Sequence, residues 1–416
     1  MWTEIPNLRH LRAFVAAVEH GGATRAAERV HLSQPAVTQA LAKLEVRLGT
    51  KLFAVGADGM QPTALGRVFH ERVARALALL EGGAREALRG ESRAPNGGFA
   101  HFERLLTVAQ LRALAAMQFN RNFSLAAREL QLSQPSIHRA ARDLERLMGA
   151  TLFIATRQGV ELTPAAAVFA RQAALAHAEL LQGFAEVSEQ LDADPGQLVI
   201  GSMPFARTTL LPSALNALSR VRPRARVKVI SAPYDGLLSR LRHGVIDFLI
   251  GALRDPPPID DIVQEPLFDD PLSIVVRRGH PLTLRNSVSR EGLIDYPWVV
   301  PAEETPTRAV FHKLFSPDDV ARMPGGVFET SSLVLLRGLL TGSDRLALLS
   351  ARQAQYELDQ GLLALAPFRV PIGARRIGLT FRRGWRPTPT QALLLDFLRR
   401  AQPDAAPAAI DYREIE

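Results

Sequence analysis

Two clusters of polar side chains, offset by one hundred residues, set the chemistry open to this chain. The first is Ser33, Gln34, Pro35, Thr38 and Gln39. The second is Ser133, Gln134, Pro135, His138, Arg139 and Arg142, with Arg157 a little further on. These types suit recognition rather than bond-making. Glutamine matches the adenine edge, arginine matches guanine, and proline packs on a thymine methyl. A serine at a helix start, with the free amides behind it, holds phosphate. Bond-making patterns are missing: there is no His-Glu-x-x-His, no Gly-x-Ser-x-Gly and no phosphate-binding glycine-rich loop. The 10 histidines are scattered without metal spacing. Neither an enzyme nor a bound cofactor or metal is expected. Asp260-Asp261 and Asp269-Asp270 flank prolines and read as solvated turns.

The elements that must position these clusters occur twice. Leu32-Ser33-Gln34-Pro35 returns as Leu132-Ser133-Gln134-Pro135, and at the same offset Ala26-Ala27, Leu44-Glu45, Leu52-Phe53, Gly59, Thr63 and Phe69 all have identical partners. Roughly a third of positions between 11 and 69 match without a gap. In the first copy Leu8, Leu11, Val15 and Val18 form one helix face, ended by Gly21-Gly22. Thr24 is the expected cap of a short second helix, and Ser33 that of a third, with Pro35 in its first turn. Val37, Ala40, Leu41 and Leu44 face inward, which leaves the first cluster outward. The second copy repeats this with Ser124 and Ser133 as expected caps. A hairpin wing follows each third helix, around Gly59 and Gly159. Each copy therefore reads as a winged helix-turn-helix, whose third helix enters a DNA major groove.

The run Ala26-Ala27…Leu32-Ser33-Gln34-Pro35-Ala36…Leu44-Glu45…Leu48-Gly49…Leu52-Phe53…Thr63 resembles the DNA-binding domain of LysR-type transcriptional regulators, and the second copy carries the same marks. The family normally has this domain once. Val55 and Ala155 stand where it usually carries a wing arginine. The second copy has the more basic reading face, while the first puts Asp58 in its wing, so the second is expected to grip DNA more strongly.

A long amphipathic helix follows each copy. Leu65, Phe69, Val73, Ala76, Leu80, Ala84 and Ala87 form one near-heptad seam. Ala165, Phe169, Ala173, Ala176, Leu180, Phe184, Val187 and Leu191 repeat it in phase. In the LysR family the corresponding helix dimerises the DNA-binding domains. Here the two helices can pair within one chain, with positions 80 and 180 facing, or between chains of a homo-oligomer.

From about residue 196 strands and helices alternate, implying a parallel α/β sheet. Gly201…Leu210-Leu211-Pro212…Pro223…Gly244-Val245-Ile246-Asp247-Phe248-Leu249-Ile250-Gly251 resembles the family's effector domain, itself similar to periplasmic binding proteins. The expected organisation is multidomain. Winged helix-turn-helix domains span 6–63 and 105–163, and linker helices span 64–90 and 164–192. A flexible connector covers 91–104. The two-lobed effector domain covers 196–400, with lobe I about 196–269 and 370–400 and lobe II about 270–369, before a tail at 401–416. Ligands of such sheets sit at strand C-termini and helix N-termini. The candidates are Ser202, Met203, Phe205, Arg207, Thr208 and Tyr234 on lobe I, and Thr305, Thr330, Ser331 and Ser332 on lobe II.

Composition agrees. The net charge of +8 permits a nucleic-acid partner without demanding one. Cysteine is absent, and neither an export signal nor an apolar run of about 18 residues is visible, which fits the cytoplasm. The expected function is effector-controlled binding of double-stranded promoter DNA. The alternatives are a solute-binding protein, or a protein-binding adaptor with degenerate helix-turn-helix modules.

Overall fold

A computed structural model describes residues 5–56, 59–89, 101–120, 122–157, 159–193, 197–203, 206, 208, 210–371 and 374–401. Phe205, Arg207, Asp58, most of the connector and nearly all of the tail lie outside the described residues.

The first module consists of α1 (Leu8–His20), α2 (Ala23–Val30), α3 (Gln34–Leu48) and the hairpin β1 (Phe53–Gly56)–β2 (Gly59–Pro62); α4 (Ala64–Ala87) leaves it. The second repeats it with α5 (Val108–Asn120), α6 (Phe123–Leu130), α7 (Gln134–Met148), β3 (Phe153–Thr156), β4 (Gly159–Leu162) and α8 (Pro164–Gln190). Ser33 caps α3 by accepting from Ala36 N–H at 3.3 Å, and Ser133 caps α7 through Ser136 N–H at the same distance. Two expected caps move. Gly22 takes a positive φ of 143° outside the helix, so α2 starts at Ala23 and encloses Thr24. Asn122, not Ser124, caps α6: its Oδ1 accepts from Ser124 and Leu125 N–H. Ser124 is thus left in the first turn, where its hydroxyl donates to Gln134.

Both wings are pinned by one device. Glu45 Oε1 accepts from Leu52 N–H at 3.0 Å, and Glu145 Oε1 from Leu152 N–H at 2.9 Å. Thr63 and Thr163 cap α4 and α8 and also donate to the carbonyls of residues 51 and 151.

The linker helices pack on each other, and one continuous apolar core joins both modules. A Cβ on Gly83 would lie 2.5 Å from Gln172 Cβ, and one on Gly183 would lie 2.9 Å from Arg72 Cβ. Only glycine allows so close an approach. Phe69 covers Gly183 and Phe169 covers Gly83, so the pair is antiparallel and pseudo-twofold. That register corrects one expectation. Leu80 lies level with residue 175 and Leu180 with residue 75, so the two leucines do not face each other. Antiparallel packing displaces same-phase positions in opposite directions, here by roughly 7–8 Å.

Lobe I contains β5 (Gln197–Ser202), α9 (Leu210–Val221), β6 (Arg226–Ile230), α10 (Tyr234–Arg242), β7 (Phe248–Ala252) and β8 (Ile262–Asp270). Lobe II contains β9 (Leu272–Arg277), α11 (Arg290–Ile294), β10 (Trp298–Val300), α12 (Pro306–Leu314), α13 (Pro317–Arg322), β11 (Val327–Glu329), α14 (Leu333–Thr341), β12 (Leu346–Ser350), α15 (Gln355–Asp359) and β13 (Leu363–Leu365). The chain then returns through β14 (Arg375–Arg382) and α16 (Pro389–Arg400). The sheet orders are β6-β5-β7-β14-β8 and β11-β10-β12-β9-β13. The sheets are mixed rather than purely parallel. β5, β6 and β7 run parallel, but β14 is antiparallel to β7 and β8 because it carries the chain back beside the strand that led it out.

Of the paired aspartates expected in solvated turns, Asp260-Asp261 do lie in a turn with Asp260 exposed, but Asp269-Asp270 end the strand β8. Asp270 is fully buried at the lobe junction, where it takes Arg375 at 2.5 Å and the Ser350 hydroxyl at 2.5 Å. Arg375 also donates to Thr307 and Gln353 of lobe II. Asp261 binds Arg171 of α8 and Arg242 of α10, tying the linker to lobe I.

Candidate DNA-reading surface and effector cleft

The inward stripe of each third helix is buried at Val37, Ala40, Leu41 and Leu44 in α3 and at Ile137, Ala141 and Leu144 in α7. The opposite face is open. Ser33, Gln34, Pro35, Thr38 and Gln39 are exposed together in the first module. Ser133, Gln134, Pro135, His138, Arg139 and Arg142 are exposed together in the second, and Arg157 is exposed at the tip of its wing. Each module thus presents one helix N-terminal half beside a two-stranded wing.

The two faces differ in what is already engaged. Thr38 donates its hydroxyl to the Gln34 carbonyl. Gln134 accepts from Ser124, and His138 stands edge-on to Phe123 at 5.1 Å. Arg142 is held at 2.6 Å by Glu145, the carboxylate that pins the wing. Arg139 has no such ion pair among the described residues. On the second face it is therefore the guanidinium least committed to its own chain.

The described lobe I candidates, Ser202, Met203, Thr208 and Tyr234, lie at the C-terminal edge of the parallel strands. Ser202 ends β5 and is buried, and its hydroxyl donates to the Met203 carbonyl. Met203 lies over Gly251 of β7. Thr208 lies between β5 and α9. Tyr234 opens α10, and its buried hydroxyl has no partner among the described residues. Sequence reasoning missed Arg254, whose guanidinium sits 4.3 Å from the Tyr234 ring centre. Burial lowers the Arg254 pKa and raises that of Tyr234. Arg254 Nη1 is buried and unpaired among the described residues, as is Nη1 of Arg352, whose guanidinium lies over Phe268. Residue type could have flagged both arginines, but their meeting with aromatic rings comes from separate segments.

On lobe II, Thr305 caps α12 by accepting from Arg308 N–H at 3.1 Å. Thr330 follows β11, its N–H donating to the Val300 carbonyl at the end of β10. Ser332 caps α14 through Leu335 N–H, and Ser331 beside it is exposed. These four therefore lie at strand ends and helix starts of one lobe, as the described lobe I candidates do on the other.

Two winged helix-turn-helix modules, a paired linker and a two-lobed α/β domain define a transcription regulator of the LysR class. Residues 8–67 and 108–167 both match the model of the bacterial regulatory helix-turn-helix protein, lysR family, and residues 192–403 match the LysR substrate binding domain. The chain is 33% identical to the HTH-type transcriptional regulator GalR of Pseudomonas putida over 399 residues, which cover 95% of this chain and 98% of that protein. It is 25% identical to the regulator PcaQ of Agrobacterium fabrum over 73% of this chain and 94% of that one. Among solved structures, ArgP from Mycobacterium tuberculosis aligns with a TM-score of 0.54 at 17% identity, over 71% of this chain and 97% of its own, and shares the fold. The chain belongs to the LysR family of transcriptional regulators: it has helix-turn-helix DNA-binding modules, in two copies, and an effector-binding domain.

Proposed function

We propose that a single chain supplies both DNA readers of a LysR-type pair, and that a small anionic effector in the cleft between the lobes adjusts their spacing on promoter DNA. The observation that carries this is the intrachain α4–α8 pair, which joins both modules in one apolar core. Because the pair is antiparallel, the modules leave it at opposite ends, and 24 helical residues set those ends roughly 36 Å apart. That is close to one turn of B-DNA, the spacing of half-sites read by paired helix-turn-helix proteins. The unpaired buried nitrogens of Arg254 and Arg352 support a negatively charged effector. The effector acts by binding one lobe arrangement more tightly than another. The chain works in the cytoplasm and performs no catalysis.

Footprinting the intact chain on promoter fragments tests this. Two protected patches one helical turn apart, at a stoichiometry of one chain, are expected. Their affinity should fall steeply with salt. One patch per chain would overturn the reading, and no salt-dependent binding would favour a solute-binding or adaptor role.

A further inference from the structure

The two linker helices have kept their seam but not their charges. At one end of the pair Arg72 is buried among α8 side chains. Its Nε and Nη2 donate to both oxygens of Glu186 at 2.8 and 2.9 Å, and its Nη1 reaches Glu179 at 3.1 Å and Gln182 at 3.0 Å. Arg75 pairs with the same Glu179 at 3.1 Å. Burial works against the charge on Arg72, yet Glu186 and Glu179 outweigh it and leave its pKa raised. At the other end the equivalent positions hold Gln172 and Leu175 on α8 and Leu79, Gly82 and Glu86 on α4; Gln172 packs on Gly83, and Leu175 lies against Gly244 of lobe I. The pseudo-twofold repeat thus has a buried charge cluster at one end, while the other has only the longer, more exposed Arg171–Glu86 contact at 3.9 Å.

Exchange of partners shows what this asymmetry does. If α8 paired with α8 of another chain in the same register, each end would set Gln172 and Leu175 against Glu179, Gln182 and Glu186. Arg171, which lies 3.9 Å from Glu86 in the native pair, would then be the one cation near Glu186, and the buried Glu179 would lose both of its arginines. If α4 paired with α4, each end would set Arg72 and Arg75 against Leu79, Gly82 and Glu86, leaving the buried Arg72 and the half-buried Arg75 with one carboxylate between them. Only α4 against α8 places two arginines opposite two glutamates. Unpaired buried charge is strongly disfavoured, so like-with-like pairing is selected against rather than merely less favoured.

We infer that Arg72, with Glu179 and Glu186, is a charge lock that makes the first linker helix choose the second and reject a copy of itself. This rests on the proposed single-chain pairing of the DNA readers and adds what enforces it. The same arginines also bind the effector domain: Arg72 donates to the Arg386 carbonyl at 3.1 Å and Arg75 to the Gly384 carbonyl at 2.7 Å. The other end has neither arginine. The lock thus adds contacts to the effector domain at its own end, beside the Arg171–Asp261 bridge that α8 makes at the other.

The absence of cysteine makes a direct test possible. Val46 and Arg146 are exposed on the third helices of the two modules, so V46C and R146C in the intact chain can each carry a nitroxide. Pulsed electron spin resonance then reads the distance between the modules. The lock predicts one narrow distance peak, its loss in R72E, and its return in R72E/E186R, which restores an opposite-charge pair. A peak unchanged in R72E overturns the lock. So does a peak lost in R72E and not recovered in the reversed pair, because Arg72 would then serve only as packing. Mixing with a large excess of unlabelled chain separates the two claims. If the wild-type peak vanishes there, the readers pair between chains and the single-chain reading fails. The comparison of R72E with R72E/E186R in undiluted samples still decides the lock.

Discussion

Adding one methyl group to α4 should have opposite effects at two neighbouring glycines. Inside a helix alanine is favoured over glycine by about 0.8–1 kcal/mol. Gly82 has no atom within 4 Å of where a Cβ would sit, so Gly82→Ala should gain that amount. At Gly83 the added carbon would lie 2.5 Å from Gln172 Cβ and 2.8 Å from its Cγ. A rotamer change could move the Cγ, but the Cβ is fixed by the backbone and no rotamer change clears it. The helices must separate by about 1 Å, a change of the kind that costs about 1–3 kcal/mol in a packed core. Set against the helix-propensity gain, Gly83→Ala should destabilise the pair by about 0–2 kcal/mol. The two variants should therefore differ by about 1–3 kcal/mol. Native-state hydrogen exchange in α4 of the intact chain isolates this pair from the unfolding of the effector domain. Faster exchange in Gly83→Ala and slower exchange in Gly82→Ala is the expected result. Equal protection in both would refute the close crossing of α4 and α8.

Arg139→Ala should weaken promoter binding by about 1–3 kcal/mol, as for loss of a bidentate base contact, and by more than Gln39→Ala; equal or reversed losses in a gel-shift titration would overturn the ranking of the modules. Arg142→Ala should cost less than Arg139→Ala, because Arg142 is already paired with Glu145. Glu145→Ala strands the amides of Leu152 and Phe153 and should lower stability by about 1–3 kcal/mol; unchanged thermal unfolding would show that the carboxylate does not hold the wing. Asp247 is buried, which raises its pKa, so the folded chain holds that proton more tightly than the unfolded chain does. Its contribution is present below the ordinary carboxylate range and is lost as pH rises through the raised value. In urea titrations wild type should thus lose stability relative to Asp247→Asn over that rise, and parallel pH profiles would count against it.

The amino-acid sequence determined the features that depend on near neighbours. The duplication, the inward stripes of the third helices, the serine caps at Ser33 and Ser133 and the two linker seams were all legible, because helix periodicity and capping act over a few residues. Even locally, competition set a limit: Asn122 displaced Ser124 as a cap because its carbonyl oxygen reaches two amides at once. What tertiary structure decided are the meetings of distant segments. Asp270 reads as a turn aspartate until Arg375, more than a hundred residues later, closes over it. Arg254 and Tyr234 become one group only when β7 and α10 share an edge. The antiparallel register of α4 on α8 was likewise beyond the heptad pattern, which fixes a seam but not the direction of its partner. Two glycines and one buried arginine made that choice, through close approach at one point and charge balance at another.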